Sequence, residues 1–294
     1  MASQSHPLAE RAMLARLTIK KWSPVKVDRG VTEEIALRKG ADRTAAGVYQ
    51  KCLIARSALK ELTKVGGEAR TYHYEHTLPW LDNGQRILTA KAHLKYVAEM
   101  DKFRTEFLRL AADLSRNFDG YVSQARVTLG TMFDASEYPS KEDILAKHSF
   151  DYGIDPIPDA PDFRVKLPEA ELARLREDIH RRAQEAMVEA NVEMWRRVHE
   201  TVAHMAKTLA NPEGKFKNTL VSNVADLADI MDEMNVAEDG ELSTLAEELK
   251  RSIAGLDPET LRNDEGERKA AATAAQDVAA RALKKMSGYG RRQP

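Results

Sequence analysis

Two histidines three residues apart, His73 and His76, sit in the stretch TYHYEHTLPWLDNGQRIL, with Glu75 and Asp82 close by. On a helix that spacing turns both imidazoles the same way, the start of a divalent-metal site. Such sites need three or four ligands, and no matching second pair of Cys or His follows. Pro79, Asn83 and Gly84 also keep any helix here short. The segment therefore reads first as a structural clamp. In it Tyr72, His73, Tyr74, His76, Pro79 and Trp80 bury ring faces and bond their polar atoms to backbone.

Glu177 and His180 in REDIH repeat the three-residue spacing. Helical bundles that hold two metals use such a pair twice, with two further carboxylates. Glu99, Asp101, Glu106 and Asp113 offer carboxylates, but no second Glu-x-x-His exists. His199 and His204 are five apart and lie on different helix faces. Cys52, the single cysteine, falls in the apolar-periodic run VYQKCLIARSAL and reads as a small buried hydrophobe. Trp195 with Arg196 and Arg197 could stack a base or bind phosphate. The structural alternative widens a buried stripe with Trp195 and leaves the arginines solvated. No phosphate-binding loop, dinucleotide fingerprint, nucleophile elbow, helix-turn-helix or zinc-finger pattern occurs. The expectation is a protein with no catalytic residues, no cofactor and no resident metal.

The elements that must position these residues look helical. Charged residues make up 31% and hydrophobic ones 43%, a folded composition, while aromatics are only 6%. Leu8, Met13, Leu14 and Leu17 suggest a first helix over residues 1–20. WSPVKVDRG breaks it, with Trp22 pinning the connection. A helix near 42–64 carries Val48, Cys52, Ala55, Leu59 and Leu62, and VGG at 65–67 ends it. From Met100 to Met132 apolar residues recur every 3.6 residues on average, which predicts one continuous helix of about 40 residues. At 1.5 Å per residue it would be about 60 Å long.

Residues 134–168 hold five of the 11 prolines and read as a connector. Within it Ser140 and Asp143 mark a short helix at 140–148, and Ile154, Ile157, Phe163 and Val165 lay an extended stretch along a surface. A second long helix starts at Pro168 and carries a stripe from Leu172 to Leu209. Shorter helices follow near 215–236, 241–255 and 264–287, with Asp257 and Pro258 as a cap and first turn. The Ala-rich stretch 264–287 has few large anchors, which suggests loose docking or ordering on a partner.

Charge is segregated although formal net charge is only −1. Residues 1–72 carry 14 Lys and Arg against 7 Asp and Glu, a net of +7, and Asp226–Glu248 holds nine acids and no base. Lys20, Lys21, Trp22, Lys26 and Arg29, together with Trp195, Arg196 and Arg197, are the residues that would meet a partner or nucleic acid.

At LARLTIKKWSPVKVD, YHYEHTLPWLDNGQRIL and DAPDFRVKLPEAEL the chain resembles an uncharacterised family of bacterial, phage and integrative-element proteins, over about residues 8–255. Its proteins are often encoded near a MoxR-like AAA+ ATPase and a von Willebrand factor type A protein. Such elements also often carry single-strand annealing recombination proteins. The resemblance implies a mobile-element origin and that company, and it assigns no residue roles.

These readings combine into one expectation. The fold is all-α, an elongated bundle built on two long antiparallel amphipathic helices with shorter helices at both ends. It divides into a basic region 1–72, a core 73–211 with the Pro-rich connector 134–168, a C-terminal region 212–287 with the acidic segment, and a disordered tail 288–294. The function is that of a non-enzymatic adaptor or assembly protein of a phage or mobile element, oligomeric or bound to a protein such as an AAA+ ATPase. The alternative is a recombination or packaging accessory that oligomerises on DNA. No apolar run approaches the roughly 18 residues of a membrane span, and the expected place is the cytoplasm of a bacterial host.

Overall fold

The structure, a computed structural model, describes residues 6–81, 84–159, 166–211, 214–253 and 255–290. It is mixed α/β, 67% helix with 11% strand, which overturns the all-α expectation. The elements run α1 (Pro7–Arg11), β1 (Ala12–Lys20), β2 (Val25–Val27), α2 (Arg29–Lys39), β3 (Gln50–Cys52), α3 (Lys60–Glu75), β4 (Leu78–Pro79) and β5 (Arg86–Thr89). Then come α4 (His93–Arg116), α5 (Phe118–Leu129), α6 (Lys141–Ala146), β6 (Ser149–Pro156) and α7 (Glu169–Leu209). The chain closes with α8 (Thr219–Glu233), α9 (Gly240–Ser252), α10 (Pro258–Asn263) and α11 (Glu265–Gly290).

One sheet has the strand order β4-β5-β1-β6, and β2 pairs with β3 in a second. The first helix expected over 1–20 is thus a single turn, capped by His6 and started by Pro7, followed by a nine-residue strand. Leu8, Leu14 and Leu17 also fit helical spacing, but β1 finds its partner in β5, with Leu14 opposite Ile87 and Ala12 opposite Thr89. Pairing over so long a sequence separation leaves no local trace, and it overrides a mild helical pattern. β6 contains Asp, Gly and Pro, none a strand former. At Gly153 the Arg16 guanidinium lies where a Cβ would be, 2.6 Å from its Nε, so a larger residue would displace that side chain. Arg16 also reaches Asp155 at 3.6 Å.

Three helical expectations shift. Residues 42–59 hold β3 and a 3₁₀ turn, and the helix begins only at Lys60. VGG lies inside α3 instead of ending it. Gly66 faces Phe107 and Ile19 at a distance where a Cβ would make ordinary contacts, 3.4 and 3.6 Å, so neither glycine breaks the helix. The continuous helix over 100–132 is two helices, broken at Asn117 (φ −94°, ψ 4°), whose backbone N–H and side-chain amide both donate to the Asp113 carbonyl. Apolar phase survives the break, and Leu114 and Phe118 enter one core with Ile54, Leu59 and Ile144.

The second half follows the periodicity more closely. Ser140 caps α6 by accepting from Asp143 N at 3.0 Å. α7 is 41 residues long with Pro168 as its N-cap, and Asp257 caps α10. The partner of the α7 stripe is α11, with α8 beside it, so the role expected of the first long helix falls to the Ala-rich segment. Ala183, Ala186 and Ala190 on α7 and Ala271, Ala275 and Ala282 on α11 are all buried. Side chains this small let two helices approach closely, so α11 is a core element and does not dock loosely. Residues 288–290, expected in the tail, continue α11. Residues 291–294, like Asp82 and Asn83 of the clamp segment and Phe163 and Val165 of the connector, lie outside the described residues.

The chain forms two compact units. The first takes described residues within 1–16, 73–96 and 153–294, and the second 17–72 and 97–152. In the first, Trp80, Met194, Trp195 and Val198 share a continuous core with α8, α9 and α11. Ala275→Leu, at a fully buried point of α11, should cost about 1–3 kcal/mol through overpacking. The exposed Ala280→Leu should stay within about 0.5 kcal/mol of wild type. Urea denaturation of both variants measures the difference.

Candidate functional site

The clamp segment is built around a helix end. α3 stops at Glu75, and its last carbonyls have no partner within the helix. Arg197 supplies one from the middle of α7. Its Nη1 donates to Glu75 O (2.7 Å) and its Nη2 to Tyr74 O (2.8 Å) and Thr77 O (2.9 Å). Nε donates to Glu193 Oε1 at 2.9 Å, and Arg196 holds the same carboxylate at 2.7 and 2.8 Å. Burial alone would raise the Glu193 carboxyl, but the hydrogen bonds from Arg196 and Arg197 outweigh it and lower its pKa.

Arg86 closes the other side. It donates to Thr77 Oγ1 (2.7 Å) and Thr77 O (3.1 Å), and its guanidinium lies 4.7 Å from the centre of the Tyr74 ring. His73 is 4% exposed, and its Nδ1 is 2.7 Å from Tyr96 Oη. Burial, and then the nearby Arg86 charge, push its pKa down to about 4. Trp80 is buried in the core, Pro79 lies opposite Arg86 in the β4–β5 pair, His76 is half-buried, and Tyr72 meets the Phe103 ring at 6.0 Å.

The other nominated chemistry is dispersed. His180 meets the His6 ring edge-on at 4.9 Å, His199 Nδ1 is 3.0 Å from Ala279 O, and Cys52 accepts from Arg56. Among the described residues no three His, Cys, Asp or Glu side chains gather to hold a metal ion. Of the nominated contact residues, Trp22 packs edge-on against Phe118 at 5.7 Å, and its backbone N–H donates to His148. Lys21 donates to Thr63 and Lys26 faces Glu137 at 3.7 Å, while Lys20 and Arg29 are exposed. Trp195 is 2% exposed and donates to Asp239, Arg196 is held by Glu193 and Glu200, and Arg197 is engaged as described.

A second feature went unread in the sequence. In unit two, Lys51 is 5% exposed and reaches Asp28 (3.1 Å), Glu137 (2.8 Å) and the Met132 carbonyl (2.8 Å). Burial opposes its charge, yet the hydrogen bonds to Glu137 and Asp28 raise its pKa. Asp28 also caps α2, and Thr32 links the Asp28 carbonyl to the Tyr49 N–H. This holds a small lobe, β2–α2–β3, that exposes several large apolar side chains among charged ones. Leu37 is 84% and Val48 64% exposed, with Val27, Ile35 and Tyr49 also exposed. Residues 20–43 carry seven Lys and Arg against four Asp and Glu. Lys51 leaves no local sequence signal, because Asp28, Met132 and Glu137 all lie outside its own strand.

No family model matches the chain, and no curated protein or solved structure matches it. Among the described residues no helix is long and apolar enough to cross a membrane.

Two measurements probe the clamp. His73 takes a proton in the unfolded chain near pH 6.5 but resists it in the fold until about pH 4. Its stabilisation is therefore complete above pH 6.5 and lost as pH falls toward 4. About 2 kcal/mol should go between pH 7 and 5. His73→Gln should lose correspondingly less over that interval in urea denaturation, with His6 and His148, both also lowered, supplying the remaining slope. Arg197→Met should cost about 2–4 kcal/mol, because it strands three carbonyls. Arg197→Lys should recover only part, since one ammonium cannot match the guanidinium fork.

Proposed function

We propose that this protein is a non-enzymatic adaptor or assembly protein of a phage or mobile element, engaging a protein partner such as an AAA+ ATPase through the β2–α2–β3 lobe. The observation that carries the reading is that Leu37, Val48, Ile35, Val27 and Tyr49 are each exposed on a lobe whose strand β3 is anchored by buried Lys51. Large apolar side chains left exposed on a small lobe are candidates for burial against a partner. The rigid base lowers the ordering cost of binding. The excess of basic residues over 20–43 favours an acidic face on the partner. The roles of the histidines also support the reading, since His6, His73, His148 and His199 bond to neighbouring backbone or to Tyr96.

The test is affinity capture and native mass of the full chain with its genomic neighbours, beside Leu37→Asp/Val48→Asp. Both positions are exposed, so the melting temperature should hold while partner affinity falls at least about tenfold. Equal capture by wild type and variant would remove the lobe from the interaction. No complex with any neighbour, together with salt-sensitive retention of DNA, would replace the adaptor reading with the nucleic-acid one.

A further inference from the structure

A groove of about 600 Å³ opens between α9 and α11, with Trp195 of α7 at its floor. Arg281, Lys284, Lys285 and Gly288 line it from one face of α11, at the three- and four-residue spacing of helix neighbours. Glu241, Thr244 and Leu245 line it from α9. Lys285 bridges to Glu241 and Arg281 to Glu248, so two ion pairs join the walls. The floor is fixed by Asp239. Its Oδ2 accepts from Trp195 Nε1 at 3.2 Å and from Tyr289 Oη at 3.0 Å, while its Oδ1 caps α9 through Glu241 N. Because those donors turn toward Asp239, the two aromatic residues leave mainly carbon for the groove.

We propose that this groove binds a small organic anion, one carboxylate or sulfonate on an apolar body. The apolar lining, Tyr289 with the aliphatic stems of Arg281, Lys284 and Lys285 over buried Trp195 and Leu245, takes the body. The charge meets Lys284, which is exposed and, among the groove's described cations, is the one without a carboxylate partner. A cation would be repelled there, and a neutral apolar molecule would leave Lys284 unused. A polyphosphate would need further free cations, yet Arg281 and Lys285 are each held by a glutamate. The size falls in the range of roughly 300–1,000 Å³ usual for small-molecule sites. This inference does not depend on the partner reading, because it concerns the other unit.

Titrating 1-anilinonaphthalene-8-sulfonate into the full-length protein, followed by fluorescence, tests it. One site per chain is expected, displaced by laurate or 1-naphthoate but not by dodecanol or 1-naphthalenemethanol. Displacement by only one of the two acids specifies an aliphatic or an aromatic body. Lys284→Glu should weaken binding about tenfold, as loss of a charge-assisted contact does, and Lys284→Arg should retain it. Gly288→Trp adds a ring where a Cβ meets open space, and should abolish binding with an unchanged circular dichroism spectrum. Equal binding by Lys284→Glu and wild type, equal displacement by the neutral analogues, or no displacement by either acid would overturn the proposal.

Discussion

A helix that stops inside a protein leaves carbonyl oxygens with no partner, and the first unit is organised around that problem. Arg197 answers it for α3, reaching the carbonyls of Tyr74, Glu75 and Thr77 with one planar guanidinium. Arg268, 7% exposed, repeats the solution at the end of α7 with the carbonyls of Leu209, Asn211 and Gly214. A guanidinium suits the task because its five donors lie in a fixed plane and its charge complements the negative end of the helix dipole. Glu193 makes the arrangement affordable by neutralising Arg197 where water is scarce.

The same logic, a buried cation set among oxygens, recurs in the second unit with Lys51. There the oxygens come from Asp28, Glu137 and Met132, far apart in sequence. All three cations bond carbonyls at the ends of helical segments, Lys51 reaching Met132 at the end of a 3₁₀ turn. The lobe is anchored at its base for that reason, and the junction between α3 and β4 is held to α7 by the clamp.

What was legible in the sequence was local. Ser140, Asp257 and Pro168 announce helix starts because capping is decided within four residues. The α7 stripe is readable because one helix face is buried along most of its length. The strands were not readable, since β1 is defined by β5 and β6, and β6 carries Asp, Gly and Pro. VGG misled because a glycine tolerated inside a helix looks identical in sequence to a glycine ending one. Arg197 and Lys51 were hidden for the same reason, as their partners lie about 120 and 80 residues away. The concentration of His, Glu and aromatics over residues 72–80 was visible, but only geometry separates a ligand set from His73 bonded to Tyr96 and Trp80 packed in a core.

The late position of α11 bears on how the chain is made. α7 is complete at Leu209, yet the helix that covers its stripe begins at Glu265, 56 residues later. At about 5–20 residues per second of synthesis, α11's share of that stripe stays uncovered for several seconds. Every residue of the second unit has been synthesised by then, since it ends at Tyr152. In that interval the nascent chain presents the part of the α7 face that α11 will cover, while β4 and α8 are already available to the rest. The alanines of α7 acquire a second meaning in that interval, because a face of Ala183, Ala186 and Ala190 is less sticky than one of leucines.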